Sequence, residues 1–275
     1  MAVCAGLLVV GLGFGVAWCT RGFCAPPAEG GLSVGEVARR FVWYCALAIT
    51  GGVVTGITVI GGGGRLAMRL LAVTGGDGAQ GRITEADQVV GEITVTGTRD
   101  FILFSGIFGG LAAAGIYLIV RRYLPSNPVG GLVYGVGLLV VLGTIVDPLR
   151  SDNPDFAIVG PGWLSVVVFT LLALAFGLAL VGWMARLSTW LPLPSTEGRV
   201  LVRYAAPAAL AIVGFSVTAA LLVLGLAVVL ATRWGTLVDL VRSPRAVQVG
   251  RVALIALVVL ALPRALASMA DIVAG

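Results

Sequence analysis

"FVWYCALAITGGVVTGITVIGGGGRLAMRLLAV", residues 41–73, decides the fold class. From Phe41 to Ile60 no side chain carries a charge. A helix rising 1.5 Å per residue crosses ~30 Å of hydrocarbon in about 20 residues, so this run matches a membrane-spanning helix. Four consecutive glycines, Gly61 to Gly64, then follow. Glycine costs a helix interior ~1 kcal/mol relative to alanine, which predicts a kink or break here. "RLAMRLLAV" reads as a restarted amphipathic turn, with Arg65 and Arg69 on one side and Leu66, Leu70 and Val73 on another. Such a turn suits the outer membrane interface.

Outward from this stretch, segments 101–120, 129–147, 162–185, 204–231 and 251–270 pass the same length test. Segment 2–18 is marginal. It lacks the basic start and small-residue cleavage site of a secretory signal, and Arg21 lies on its far side, so it reads as a short first helix with its N-terminus outside. A leader or a misassigned start is the alternative. The expected fold is an all-α membrane protein, a bundle of about seven transmembrane helices forming a single domain over residues 1–275.

Composition agrees. Of the 275 residues, 59% are hydrophobic and 11% charged, with a mean hydropathy of +1.05. Soluble domains average nearer ~45–50% apolar and ~25% charged. Every basic residue is arginine; there is no lysine and no histidine. That excludes a retinal Schiff base, His-ligated haem, an HExxH zinc site and a Ser–His dyad. The +5 net charge is spread over loops rather than clustered on one face, so nucleic-acid binding is not expected. Cys4, Cys19, Cys24 and Cys45 match no metal-binding spacing, and Trp18 before Cys19 disfavours lipoprotein processing. No metal or cofactor is expected.

Arginines set the orientation through the positive-inside rule. Arg39, Arg40, Arg121, Arg122, Arg186, Arg199 and Arg203 fall inside if the acidic loop "DPLRSDNPDF" (147–156) lies outside. Seven spans then put the C-terminus inside. Arg233, Arg242 and Arg245 fall outside, against the rule. Between the second and third segments lies a polar insert, residues 75–99, an extracytoplasmic cap. Within it "EITVT" alternates at period two, which predicts a short strand pairing in a hairpin with "GRIT".

Helices in lipid associate by close packing at small residues. The pairs Gly11/Gly15, Gly52/Gly56, Gly106/Gly110 and Gly131/Gly135 give GxxxG patterns in the first four segments, and Ala173/Gly177 a milder version in the fifth. These mark packing faces or, alternatively, line a solute path. Asp100 opens the third segment and Asp147 closes the fourth, at the same expected depth as Arg65. An arginine drawn into the bilayer needs a partner, so Arg65, Arg69, Asp100 and Asp147 form a candidate outer ion-pair cluster or anion site.

"GRLAMRLLAVTG", then "QGRIT", then "ITVTGT" leading into a glycine-rich helix that ends "RRYLP", resembles a recurrent group of uncharacterised polytopic membrane proteins of high-GC bacteria. The likeness covers about residues 60–190. It implies a common fold and a multi-pass location in the bacterial plasma membrane, and brings no activity or cofactor. Three roles compete: a non-catalytic component (scaffold, accessory or sensor subunit) facing lipid and a membrane-protein partner, a small-solute transporter or channel with an outer charged vestibule, and an enzyme. The second lacks acids at the centres of its spans. The third lacks a base for Ser105, Ser165 or Ser216.

Overall fold

A computed structural model of the chain describes residues 1–27, 33–213, 219, 223 and 243–274. Five of its helices are long and apolar enough to cross a membrane: α1 (Ala2–Arg21), α2 (Val34–Thr74), α3 (Val95–Tyr123), α5 (Gly162–Trp190) and α7 (Pro244–Ala274). Two shorter helices accompany them, α4 (Pro128–Leu142) and α6 (Gly198–Val213). The expected span 204–231 lies largely outside the described residues beyond Val213, so the count of seven spans is not reached among those described. Local chemistry starts the helices. Ser33 accepts a hydrogen bond from the Glu36 amide at 3.3 Å in a Ser-x-x-Glu pattern, Thr94 caps α3 through the Gly97 amide at 3.0 Å, and Asn127 before Pro128 opens α4.

The four glycines do not break the chain. The helix runs through them without interruption for 41 residues, its middle wound as a π-helical segment, Gly56–Gly63. The reason is crowding. A methyl group at Gly62 would lie 2.9 Å from the Cys4 carbonyl oxygen of α1, one at Gly63 would overlap Leu172 of α5, and one at Gly64 would lie 2.8 Å from the Phe101 ring of α3. Successive residues point around the helix, and a neighbour occupies each of these directions. α2 therefore packs against α1, α3, α5 and α6, and 72% of its apolar stretch is buried, against 11% for α7. Away from water the backbone hydrogen bonds of a glycine run have no competitor, which offsets the propensity cost measured in water.

α2 also approaches α3 at backbone distance. The π-helical segment of α2 faces a second one in α3, Ile102–Phe108. A methyl group at Gly52 would lie 2.7 Å from the Gly110 carbonyl oxygen, and one at Gly110 would lie 2.8 Å from the Gly56 Cα. Below this level the main core gathers Trp43, Leu47, Ala114, Tyr117, Tyr134, Leu180 and Met184. Its polar atoms are provided for: the Trp43 indole donates to the Leu191 carbonyl at 2.7 Å, and the Tyr134 hydroxyl donates to the Ala113 carbonyl.

The helix ends separate charge. One end carries Arg21, Arg39, Arg40, Arg121, Arg122, Arg186, Arg199, Arg203 and Arg245 with only Glu36 and Glu197 among the described acids. The other carries Asp77, Glu85, Asp87, Glu92, Asp100, Asp147, Asp152, Asp155 and Asp271 against Arg65, Arg69, Arg82, Arg99, Arg150 and Arg264. α7 starts at the basic end, where Gly250 meets the Tyr123 ring, and finishes at the acidic end, where Ile272 meets Gly162. Its direction corrects the expected topology. The C-terminal end of α7 shares the acidic end with the start of α1, and Arg245 lies with the other arginines rather than against them.

The insert also departs from expectation. "EITVT" pairs with nothing; Val95 begins α3, and "GRIT" instead meets "QVV" through an isolated antiparallel bridge, Ile83 with Val89. Thr94 as a helix cap outcompetes the strand, because its hydroxyl takes up an orphan amide of the first turn. Likewise α4 stops at Leu142 rather than reaching Asp147. The Leu149 amide returns to the Gly143 carbonyl at 2.8 Å and buries Leu149 completely.

Two outcomes follow. Gly56→Ala places a methyl against the Gly106 carbonyl and should destabilise the detergent-solubilised protein by ~1–3 kcal/mol. Gly137→Ala, with open space around it, should be neutral or stabilising by up to ~1 kcal/mol; thermal unfolding followed by fluorescence checks both signs. In a cysteine-free background, single cysteines at Asn153 and Asp271 should react with an impermeant maleimide from one side of the membrane, and one at Ser126 from the other.

Candidate functional site

Polar side chains converge at the acidic end, where the insert is tied to two helices and a loop. The Arg69 guanidinium of α2 donates to the Gly91 carbonyl at 3.0 Å, and the Arg65 guanidinium donates to the Thr98 hydroxyl, also at 3.0 Å. The Gln80 amide reaches back to the Ala72 carbonyl at 2.8 Å. On the far side Arg150 pairs with Glu85, and its Nε lies 3.0 Å from Asp152 without the alignment of a hydrogen bond. The Asp155 carboxylate accepts from the Glu85 amide at 2.8 Å. Arg150 is thus the joint between insert and loop.

This arrangement revises the ion-pair cluster expected from depth alone. The ion pairs among the described residues are Arg40–Glu36, Arg99–Asp100, Arg150–Glu85 and Arg150–Asp152. Arg65 and Arg69 bind a hydroxyl and a carbonyl instead, Asp100 goes to its neighbour Arg99, and Asp147 sits in the loop rather than at the end of a helix. Equal depth did not bring them together, because the insert lies over the arginines and supplies nearer acceptors. Removal from water raises the Asp147 carboxyl above its ordinary value, with Arg150 opposing the shift. An acid raised in the folded state favours folding in its protonated form, so this contribution fades as the pH rises from the ordinary carboxylate range through the raised value.

Beside the joint lies an open groove of about 560 Å³ between the 144–152 loop and α7. Its walls present Arg150, Asp152, Arg264, Ser268 and Asp271. Arg264 donates to the Thr144 carbonyl at 3.1 Å, and Ser268 clamps the loop twice, donating to the Leu149 carbonyl at 2.6 Å and accepting from the Ser151 amide at 3.0 Å. Ligand sites commonly span about 300–1,000 Å³, so the groove has room for a small polar group or a protruding side chain. Sequence reasoning missed Arg264, Ser268 and Asp271. The available signal was an arginine and an acid seven residues apart near the end of an otherwise apolar helix.

The other residues singled out by sequence lie within the bundle. Gly52, Gly56, Gly106 and Gly110 line the contact between α2 and α3, and Gly131 and Gly135 face Gly177 and Ala173 across α4 and α5. Comparison of the chain with protein families, curated proteins and solved structures found no match.

Replacing Arg150 with alanine should free the insert without unfolding the bundle. Amide exchange at Thr84 and Val90, which bond to Gln88 and Arg82 across the bridge, should quicken several-fold while the Leu47 and Leu180 amides keep their protection. Hydrogen exchange read by mass spectrometry reports both regions.

Proposed function

We propose that this chain is a multi-pass protein of the bacterial plasma membrane with a non-catalytic role, a scaffold, accessory or sensor subunit. Its tied polar cap presents a recognition face to a membrane-protein partner. The arginine-rich end takes the cytoplasmic side under the positive-inside rule, which puts the insert and groove outside. The observation that carries the reading is the location of the charged groups. Four of them, Arg150, Asp152, Arg264 and Asp271, line a peripheral groove at the acidic end, whereas the middle of α2 is closed by backbone contacts with α1 and α3. Transporters place ionisable or broken-helix sites near the midplane; here α2 is unbroken at that level.

A second reading, a small-solute transporter or channel with an outer charged vestibule, draws on the facing π-helical segments of α2 and α3, since π turns often accompany functional sites. Photo-crosslinking in native membranes separates the two. A benzophenone residue at Asp152 or Asp271 should capture the same single protein, and one at the lipid-exposed Val133 should not. Capture of no protein from the groove, together with stabilisation of the purified chain by a small solute, contradicts the partner-binding role and favours transport.

A further inference from the structure

The basic end holds an arrangement found nowhere else among the described residues. The last turn of α1, Cys19–Arg21, follows Trp18 as a tighter 3-10 turn and folds Arg21 back until its guanidinium lies 4.0 Å from the centre of the indole. From α5 the Arg186 guanidinium reaches the same ring at 4.4 Å. Two cations therefore share one aromatic ring. Each gains from the ring quadrupole, but the indole carries no net charge, and the two arginines repel one another. Neither takes part in an ion pair among the described residues, and Glu36, an acid of the same end, is committed to Arg40 at 2.7 Å. Adjoining groups do not supply an anion: the Cys19 thiol is buried and donates to the Val16 carbonyl, and Ser188 is occupied by the Cys24 amide and the Ala185 carbonyl.

We infer that Trp18, Arg21 and Arg186 bind the phosphate of an anionic phospholipid. A guanidinium stacked on a ring keeps its in-plane N–H edge free, and that edge matches two phosphate oxygens at once. A phosphate held by both edges removes the repulsion that the ring leaves standing. The phosphate is a lipid's rather than a free ion because of what leads up to the site. Val10 and Phe14 are exposed along the side of α1 that leads up to Trp18, and acyl chains attached to a phosphate at the ring would lie along them. The inference rests on the bilayer location proposed above and is independent of the partner-binding role. A need for detergent to extract the chain from membranes tests that location separately.

Native mass spectrometry of the full-length detergent-solubilised protein, titrated with phosphatidylglycerol, phosphatidylcholine or inorganic phosphate, tests the site. The wild type should retain phosphatidylglycerol in preference to phosphatidylcholine, and inorganic phosphate should not displace it. Arg21→Gln with Arg186→Gln, and separately Trp18→Leu, should weaken retention about tenfold or more, since the first removes the charge-assisted hydrogen bonds to the phosphate and the second the ring that orients them. Arg199→Gln with Arg245→Gln removes the same charge at the same end, away from the ring, and should leave retention unchanged. The single change Arg21→Gln, at an exposed side chain, should give a partial loss and covers misfolding of the double variant, with circular dichroism confirming helix content. Unchanged retention in the Arg21 and Arg186 variants overturns the inference. So does an equal loss in the Arg199 and Arg245 control, equal binding of phosphatidylcholine, or displacement by free phosphate.

Discussion

Everything else in the molecule depends on α2 being surrounded. A helix with neighbours on several sides has little room for side chains at the level where they converge, and glycine is the residue that leaves none. At Gly62, Gly63 and Gly64 the obstacles are α1 backbone, an α5 leucine and an α3 aromatic ring in turn. Each contact is a van der Waals contact worth little by itself, but together they bring backbones to packing distance along the central helix. The rest of the bundle is arranged around this axis. α1, α3, α5 and α6 touch it, α4 is added outside through α5, and α7 lies against α4, α5 and the end of α3.

An unbroken α2 also carries the structure beyond its apolar stretch. Because the helix continues past the glycines, Arg65 and Arg69 project from its last turns beneath the insert and hold it through Thr98 and Gly91. The polar cap is thereby mounted on the most buried element of the fold rather than on a mobile loop. Arg150 and Ser268 complete the mounting from the 147–156 loop and α7. The opposite end is finished differently, with arginines laid over aromatic rings: Arg121 over Phe23 at 4.0 Å, Arg122 over Tyr123 at 4.6 Å, and Arg203 over Trp190 at 5.5 Å. At this end Arg121 also donates to the Tyr44 hydroxyl at 3.0 Å and Arg203 to the Trp190 carbonyl at 2.7 Å.

Several of these features were legible in the chain and others were not, for physical reasons. Runs of uncharged residues located most helices, because length and hydropathy are one-dimensional properties. The break expected at the glycine run is absent, and the helix is locally π-wound instead, because propensities measured in water describe an isolated helix and contain nothing about three neighbours at one level. "EITVT" has the alternation of a strand, yet Thr94 has a helix amide to cap. The Arg–Asp pairings failed because depth along the membrane normal fixes one coordinate, and contact requires three. The shared ring of Trp18 had a partial signal in "WCTR", but its second arginine comes from α5, far away in sequence.

The continuity of α2 is the claim on which the rest stands, and a single distance tests it. Spin labels at Val42 and Val73, both exposed on α2, bracket the four glycines. A continuous helix rising 1.5 Å per residue separates their backbones by about 45 Å, whereas a break followed by a turn lying in the interface shortens the separation to roughly 35 Å. Double electron–electron resonance in lipid nanodiscs should therefore give one narrow distribution centred on the longer distance. A distribution centred on the shorter one contradicts the account.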